Sequence, residues 1–280
     1  MPQETDANVV DAADFYPQVL ARLIAAGEID PGDEILVVNG GEFDARVLRS
    51  HGFTNVVISN LDERIDGTSP FEHYGWSRQN TTKLTYEDAS FDFVFVHAGL
   101  HHLRCPQQGI LEMYRVARKG ILGFEPHDCI YTRLGVWLGF GQEYETSAVY
   151  HNGCRYGGVE NSNVPNFVYR FSKREIIKTV QTNNPIGDHQ CTFYYQTRIP
   201  PRLRRLRNPC LRLSASVLGC TFEFIGRKLP MFANNIGFFI RKPVPKLFPW
   251  LERDQVGGVR PLVSYLETVY LPSSGSGAEA

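Results

Sequence analysis

Between residues 84 and 126 the pattern of apolar and polar positions changes period twice. Phe93, Val94, Phe95 and Val96 form an unbroken apolar run, as in a strand buried on both faces. Ile110, Leu111, Tyr114, Val116 and Ala117 then recur at near-helical spacing, with Glu112, Arg115 and Arg118 on the opposite side. That pattern predicts an amphipathic helix of about three turns. Gly120 stands where a glycine ends such a helix, and residues 121–124 begin a second buried strand. Strand, loop, helix and strand make a βαβ unit, which implies a parallel sheet. Ligands bind such sheets in the crevice beyond the carboxyl ends of the strands. Residues 97–104 and 125–128 fall there, so that is where chemistry is expected.

The remaining pattern supplies the other elements. Residues 15–26 carry Phe15, Val19, Leu20, Leu23 and Ile24 on one helical face, with Asp14 as N-cap and Gly27 at the end. Residues 34–38 and 56–58 read as strands, and residues 43–51 as a helix with Val47 and Leu48 inward. Residues 64–79 read as an aromatic loop with a short strand near Trp76. Residues 131–140 read as a helix and turn over the mouth of the site, and 167–171 as a short strand. Ser172 caps a helix over 173–180, with Glu175 at its third position as in a capping box. Residues 191–198 and 235–241 alternate like strands. Between them, residues 200–230 form an insertion, basic in its first half and apolar and helical in its second. The expected organisation is one domain over 1–250 with its core at 33–128, then an extended segment over 251–280 ending in a disordered tail.

Composition narrows the classes. A hydrophobic fraction of 42% with 21% charged residues suits a globular core, and a net charge of −1 gives no global attraction to nucleic acid. No apolar run approaches the ~18 residues of a membrane span. Six cysteines without a Cys-x-x-Cys pair, and no signal peptide, read as reduced thiols of a cytoplasmic protein. The eight histidines show no metal-ligand spacing, so no metal is expected.

The candidate chemistry begins at Asn39-Gly40-Gly41. A strand that runs into a glycine turn and then a helix presents backbone N–H groups and a positive helix end, which suit a carboxylate or phosphate. Asn60 lies 19 residues beyond Gly41, near the spacing of a ribose-binding acid in βαβ nucleotide sites. His97, His101 and His102 crowd the loop after the Phe93 strand, and a neutral imidazole there can take a proton from a hydroxyl or amine.

Three pieces in order, Leu84-Thr-Tyr-Glu-Asp-Ala-Ser-Phe-Asp92, Leu100-His-His-Leu103 and Tyr114-Arg-Val-Ala-Arg-Lys-Gly120, resemble the class I S-adenosylmethionine-dependent methyltransferases over residues 33–128. The resemblance implies an α/β, doubly wound Rossmann-like fold: a mostly parallel seven-stranded sheet with an antiparallel final strand, and the helical insertion before it. It implies S-adenosylmethionine as cofactor, with Asn39, Gly40 and Gly41 at its amino-acid end, Asn60 and Leu61 at the ribose, Asn80 at the adenine, and His97 and Ala98 at the methionine end. His101 becomes the catalytic candidate, with His102, Glu125, Glu143 and Tyr144 facing the acceptor. The chain departs from the family's Gly-x-Gly-x-Gly turn at Asn39 and Phe43. Asn39 tolerates the left-handed backbone, whereas the Phe43 ring has to point away from the ligand.

The expected function is methyl transfer to oxygen or nitrogen of a small molecule, with no nucleic-acid partner and a homodimer left open. Two alternatives remain: a methyltransferase-like fold that binds without catalysis, and a nicotinamide-dependent oxidoreductase, for which Tyr169 and Lys173 have the spacing of a short-chain dehydrogenase pair.

Overall fold

Strand β1 (Ile35–Val38) is buried at every residue. A computed structural model describes residues 15–65, 71, 73–139, 141–197, 229–243, 247–256 and 258–271. Around β1 runs a seven-stranded sheet with β2 (Val56–Asn60), β3 (Gly75–Arg78), β4 (Phe91–His97), β5 (Ala117–Pro126), β6 (Gln190–Gln196) and β7 (Asn235–Arg241), in the order β3-β2-β1-β4-β5-β7-β6. Pairings from β3 to β5 are parallel, and β7 runs antiparallel to both β5 and β6. The expected α/β sheet with its antiparallel final strand is therefore what forms.

Both faces are covered because β1 is apolar throughout and β4 is apolar from Phe93 to Val96. Ile35, Val37, Phe93 and Phe95 face one core, closed by α1 (Phe15–Ala25) and α2 (Glu42–Ser50). Leu36, Val38, Val94 and Val96 face the other, closed by α3 (Pro106–Val116) and α6 (Lys173–Asn183). Between α3 and α6 the chain adds α4 (Ile130–Trp137) and α5 (Thr146–His151). This excursion leaves from the end of β5 and returns to it, because Phe171 N–H donates to the Pro126 carbonyl and Asp128 N–H to that of Phe171.

Several expectations need correction. Gly120 does not stop α3; the helix ends at Val116 and β5 starts at once, so Gly120 is a strand residue pressed against the Ile240 carbonyl. Arg115, in its last turn, ties the helix to the preceding loop, donating to Glu112, Asp88 and the carbonyls of Leu84 and Tyr86. Residues 167–171 make no strand, only isolated pairings of Phe167 with Tyr144 and Phe171 with His127. Ser172 does cap α6, yet the Glu175 carboxylate turns to Tyr169 and Gln107. The segment after 243 is not simply extended: β8 (Leu251–Arg253) pairs with β9 (Val259–Pro261), and α7 (Val263–Tyr270) follows. Asp14, most of the 200–230 insertion and the 273–280 tail lie outside the described residues.

Candidate active site

The loop after β4 is organised by Glu125, which projects from the end of the neighbouring strand β5. One carboxylate oxygen accepts from the N–H groups of Gly99 (2.8 Å) and Leu100 (2.7 Å), at the start of a single 3-10 turn, Leu100–His102. The other lies 2.7 Å from His101 Nδ1. On its far side, His101 Nε2 is 3.2 Å from Glu145 Oε2, just before α5. His102 Nε2 is 3.5 Å from that same oxygen. Burial of His101 disfavours its charge, but Glu125 and Glu145 together outweigh this and raise its pKa to about 9. Burial likewise opposes the charge on Glu145, and His101 and His102 nevertheless hold its pKa at about 2. His102 moves down, through burial and the neighbouring His101 charge. The two carboxylates thus favour the protonated form of His101 and work against the neutral base expected from the sequence.

The glycine turn is self-contained to a degree the sequence did not disclose. Asn39 adopts the left-handed backbone, φ 51°, and its amide donates to the Gly99 carbonyl (2.7 Å) while accepting from the Thr81 hydroxyl (2.8 Å). Gly40 N–H is bonded to the Ser59 carbonyl and Gly41 N–H to Asp44 Oδ2. Asn60 donates to the Gly40 carbonyl (2.8 Å) and accepts from Asp62 N–H (2.9 Å). Asn80 accepts from the N–H and hydroxyl of Thr82, holding a turn. The Leu61 carbonyl accepts from the Asn161 amide. The expectation that the amides of Gly40 and Gly41 open towards a ligand is thus not met, since their hydrogens are used inside the turn. Space does remain at Gly41, where an added Cβ would meet nothing within 4 Å. Phe43 packs against His97, ring centres 4.9 Å apart, and against Tyr16.

A cleft of about 440 Å³ opens beyond the ends of β4, β5 and β7. Of the expected residues it brings together His97, Ala98, His101 and Glu125; to these it adds Gln142, Glu145 and Arg170. Its lining does not include Asn39, Gly40, Gly41, Asn60, Leu61 or Asn80 of the expected donor residues, or His102, Glu143 and Tyr144 of the expected acceptor residues. Tyr144 is exposed and pairs edge-on with Phe167. Glu145 was overlooked in favour of its two predecessors; its only signal was its place in the acidic Gln142–Glu145 run. Tyr169 and Lys173 make no dehydrogenase pair: the Tyr169 hydroxyl is bound by Glu175 and Gln107, and Lys173 sits over the Phe193 ring at 5.3 Å.

The family profile described as "Methyltransferase domain" matches residues 40–122, from the glycine turn into β5. Over that stretch the chain is similar to methyltransferase domains. The similarity to curated proteins is local as well. The ubiquinone/menaquinone biosynthesis C-methyltransferase UbiE of Xanthomonas campestris is 27% identical over 108 residues, covering 35% of this chain and 43% of that protein. Its counterpart in Xanthomonas axonopodis is 26% identical over the same shares. The chain thus spans less than half the length of the curated relatives it matches. Among solved structures, an S-adenosylmethionine-dependent methyltransferase from Mesorhizobium loti aligns with 82% of this chain and 99% of its own, at 13% identity and TM-score 0.49. A second, from Archaeoglobus fulgidus, aligns with 85% and 100%, at 12% identity and TM-score 0.47. No helix among the described residues is long and apolar enough to cross a membrane.

Proposed function

We propose that the chain transfers a methyl group from S-adenosylmethionine to an oxygen or nitrogen of a small molecule held in the cleft beyond β4 and β5. The supporting observation is that the matched stretch, 40–122, joins the glycine turn to the strand whose end carries Glu125 and lines that cleft. The sulfonium is already activated, so the protein mainly has to align acceptor, methyl carbon and sulfur and exclude water. The donor's amino-acid end would enter the space at Gly41, with its methyl directed past His97 and Ala98. The acceptor would meet His101 and Glu145. An O–H or N–H acceptor loses a proton on methylation; the Glu145 carboxylate would accept a hydrogen bond from that group, and the proton would leave to water in the open cleft.

Calorimetric titration of the purified chain with S-adenosylmethionine tests the donor. Binding is expected for the unaltered chain and lost in Gly41→Asp, where a carboxylate would fill the free space. Unchanged affinity in Gly41→Asp would remove the donor from the glycine turn. With an acceptor in hand, His101→Ala should lower turnover while donor affinity holds; full turnover would exclude His101 from the reaction.

A second reading, a methyltransferase-like fold that binds without catalysis, is favoured by the internal use of the Asn39, Asn60 and Asn80 side chains. A chain that gives no heat with S-adenosylmethionine would support it.

A further inference from the structure

Two ring nitrogens, one from each of two successive histidines, converge on a single carboxylate oxygen. His101 Nε2 and His102 Nε2 lie 3.2 and 3.5 Å from Glu145 Oε2. One ligand atom from each of these residues falls within 4.8 Å of the others. Zinc bonds of ~2.0–2.2 Å at tetrahedral angles place ligand atoms roughly 3.3–3.6 Å apart, so the two distances suit a shared ion. His101 is also held from behind, its Nδ1 by Glu125, itself fixed by two backbone N–H groups. A carboxylate–histidine–metal pair orients a ligating imidazole in this way. Asn166, almost fully buried, donates to Glu145 Oε2 at 3.4 Å, and its Oδ1 finds no hydrogen-bond partner among the described residues.

We propose that His101, His102 and Glu145 form a mononuclear zinc site with its fourth position open to the cleft. A two-histidine, one-carboxylate set with an open position is the ligand pattern of catalytic rather than purely structural zinc. The ion replaces the proton on His101 and neutralises Glu145. Because His101 and Glu145 both line the cleft, a water or an oxygen of the acceptor, such as a hydroxyl or carboxylate, can complete the coordination. That last clause rests on the methyl-acceptor reading of the cleft; the ion itself does not.

The test strips the full chain with a chelator and titrates it with zinc chloride against a chromophoric competitor. Cobalt(II) is then added to a second sample and its visible absorption recorded. One equivalent of zinc per chain is expected, with the intense visible bands of tetrahedral cobalt. Glu145→Ala and His102→Ala should each weaken zinc at least tenfold and abolish the bands, while circular dichroism confirms that the metal-free variants fold. Glu145→Gln serves if Glu145→Ala does not. Absence of saturation at one equivalent, or equal affinity in the unaltered chain and in the folded variants, would overturn the site. S-adenosylmethionine calorimetry on the same preparation separates the readings. Donor binding without zinc sinks the ion alone, and zinc binding without the donor sinks the methyl-transfer reading alone.

Discussion

Asp44 is a carboxylate buried at the start of a helix, facing the glycine turn. Burial raises its pKa to about 7, and the hydrogen bond from Gly41 N–H offsets only part of that cost. Its Oδ1 has no hydrogen-bond partner among the described residues, and the Tyr16 hydroxyl, whose pKa burial and Asp44 raise together, has none either. The sign of the pH effect follows from the raised folded value. Below about pH 4 the folded and unfolded chains both hold the proton, so Asp44 contributes no pH-dependent penalty. As pH rises from about 4 to 7 the unfolded chain releases the proton first, which favours unfolding; above about 7 the penalty is constant. Asp44→Asn removes this ionisation and keeps an acceptor for Gly41. Denaturant melts should therefore show the variant gaining on the unaltered chain as pH rises from 4 to 8, by up to about 4 kcal/mol. A difference that stays flat with pH would mean that the carboxyl is already relieved, by water or by a cation.

Among the elements, β5 is the one the sequence half disclosed. Its apolar core, Ile121 to Phe124, was legible, as were Phe93 to Val96 of β4, because a run buried on both faces leaves no polar interruption. Its start was not legible. A glycine after a basic turn looks alike whether it ends a helix or lies in a strand, and the deciding contact is with Ile240, 120 residues later in the chain. Gly123 has a similar dependence: an added Cβ would enter the Phe238 ring, which β7 lays across it in the core shared with α3 and α6. Gly123→Ala should cost about 1–3 kcal/mol, the usual penalty of overpacking, read as a lower denaturant midpoint with unchanged slope. Gly41→Ala, at an extended backbone with empty space beside it, serves as the silent control. Equal midpoints for both would show that Phe238 can move aside. The clamp on His101 escaped for the same reason as β5's start. The Leu-His-His-Leu loop announced polar groups, but nothing near it in sequence announced Glu145, which arrives 44 residues later by way of α4.

At the scale of the molecule, the excursion between β5 and α6 does more than supply Glu145. It arcs along the carboxyl edge of the sheet to β2, where the Asn161 amide reaches the Leu61 carbonyl at 3.3 Å and Arg64 lies over the Tyr156 ring at 5.0 Å. Arg104 and Glu160 add an ion pair at 2.8 Å. The arginine of that pair is largely exposed, and such pairs contribute roughly 0–1 kcal/mol; exposed cation–ring contacts contribute about as little. The tip is thus held by several weak tethers, whereas its two ends are fixed by backbone bonds at β5. It should open locally at small cost while the sheet stays closed. Hydrogen exchange tests this directly: amides over 153–163 should exchange much faster than those of β1, β4 and β5. If the donor lies along the glycine turn beneath the tip, saturating S-adenosylmethionine should slow exchange over 39–45 and over 153–163 together, because both then bound one occupied space. Protection of the glycine turn alone would mean that the excursion serves the acceptor cleft and never covers the donor.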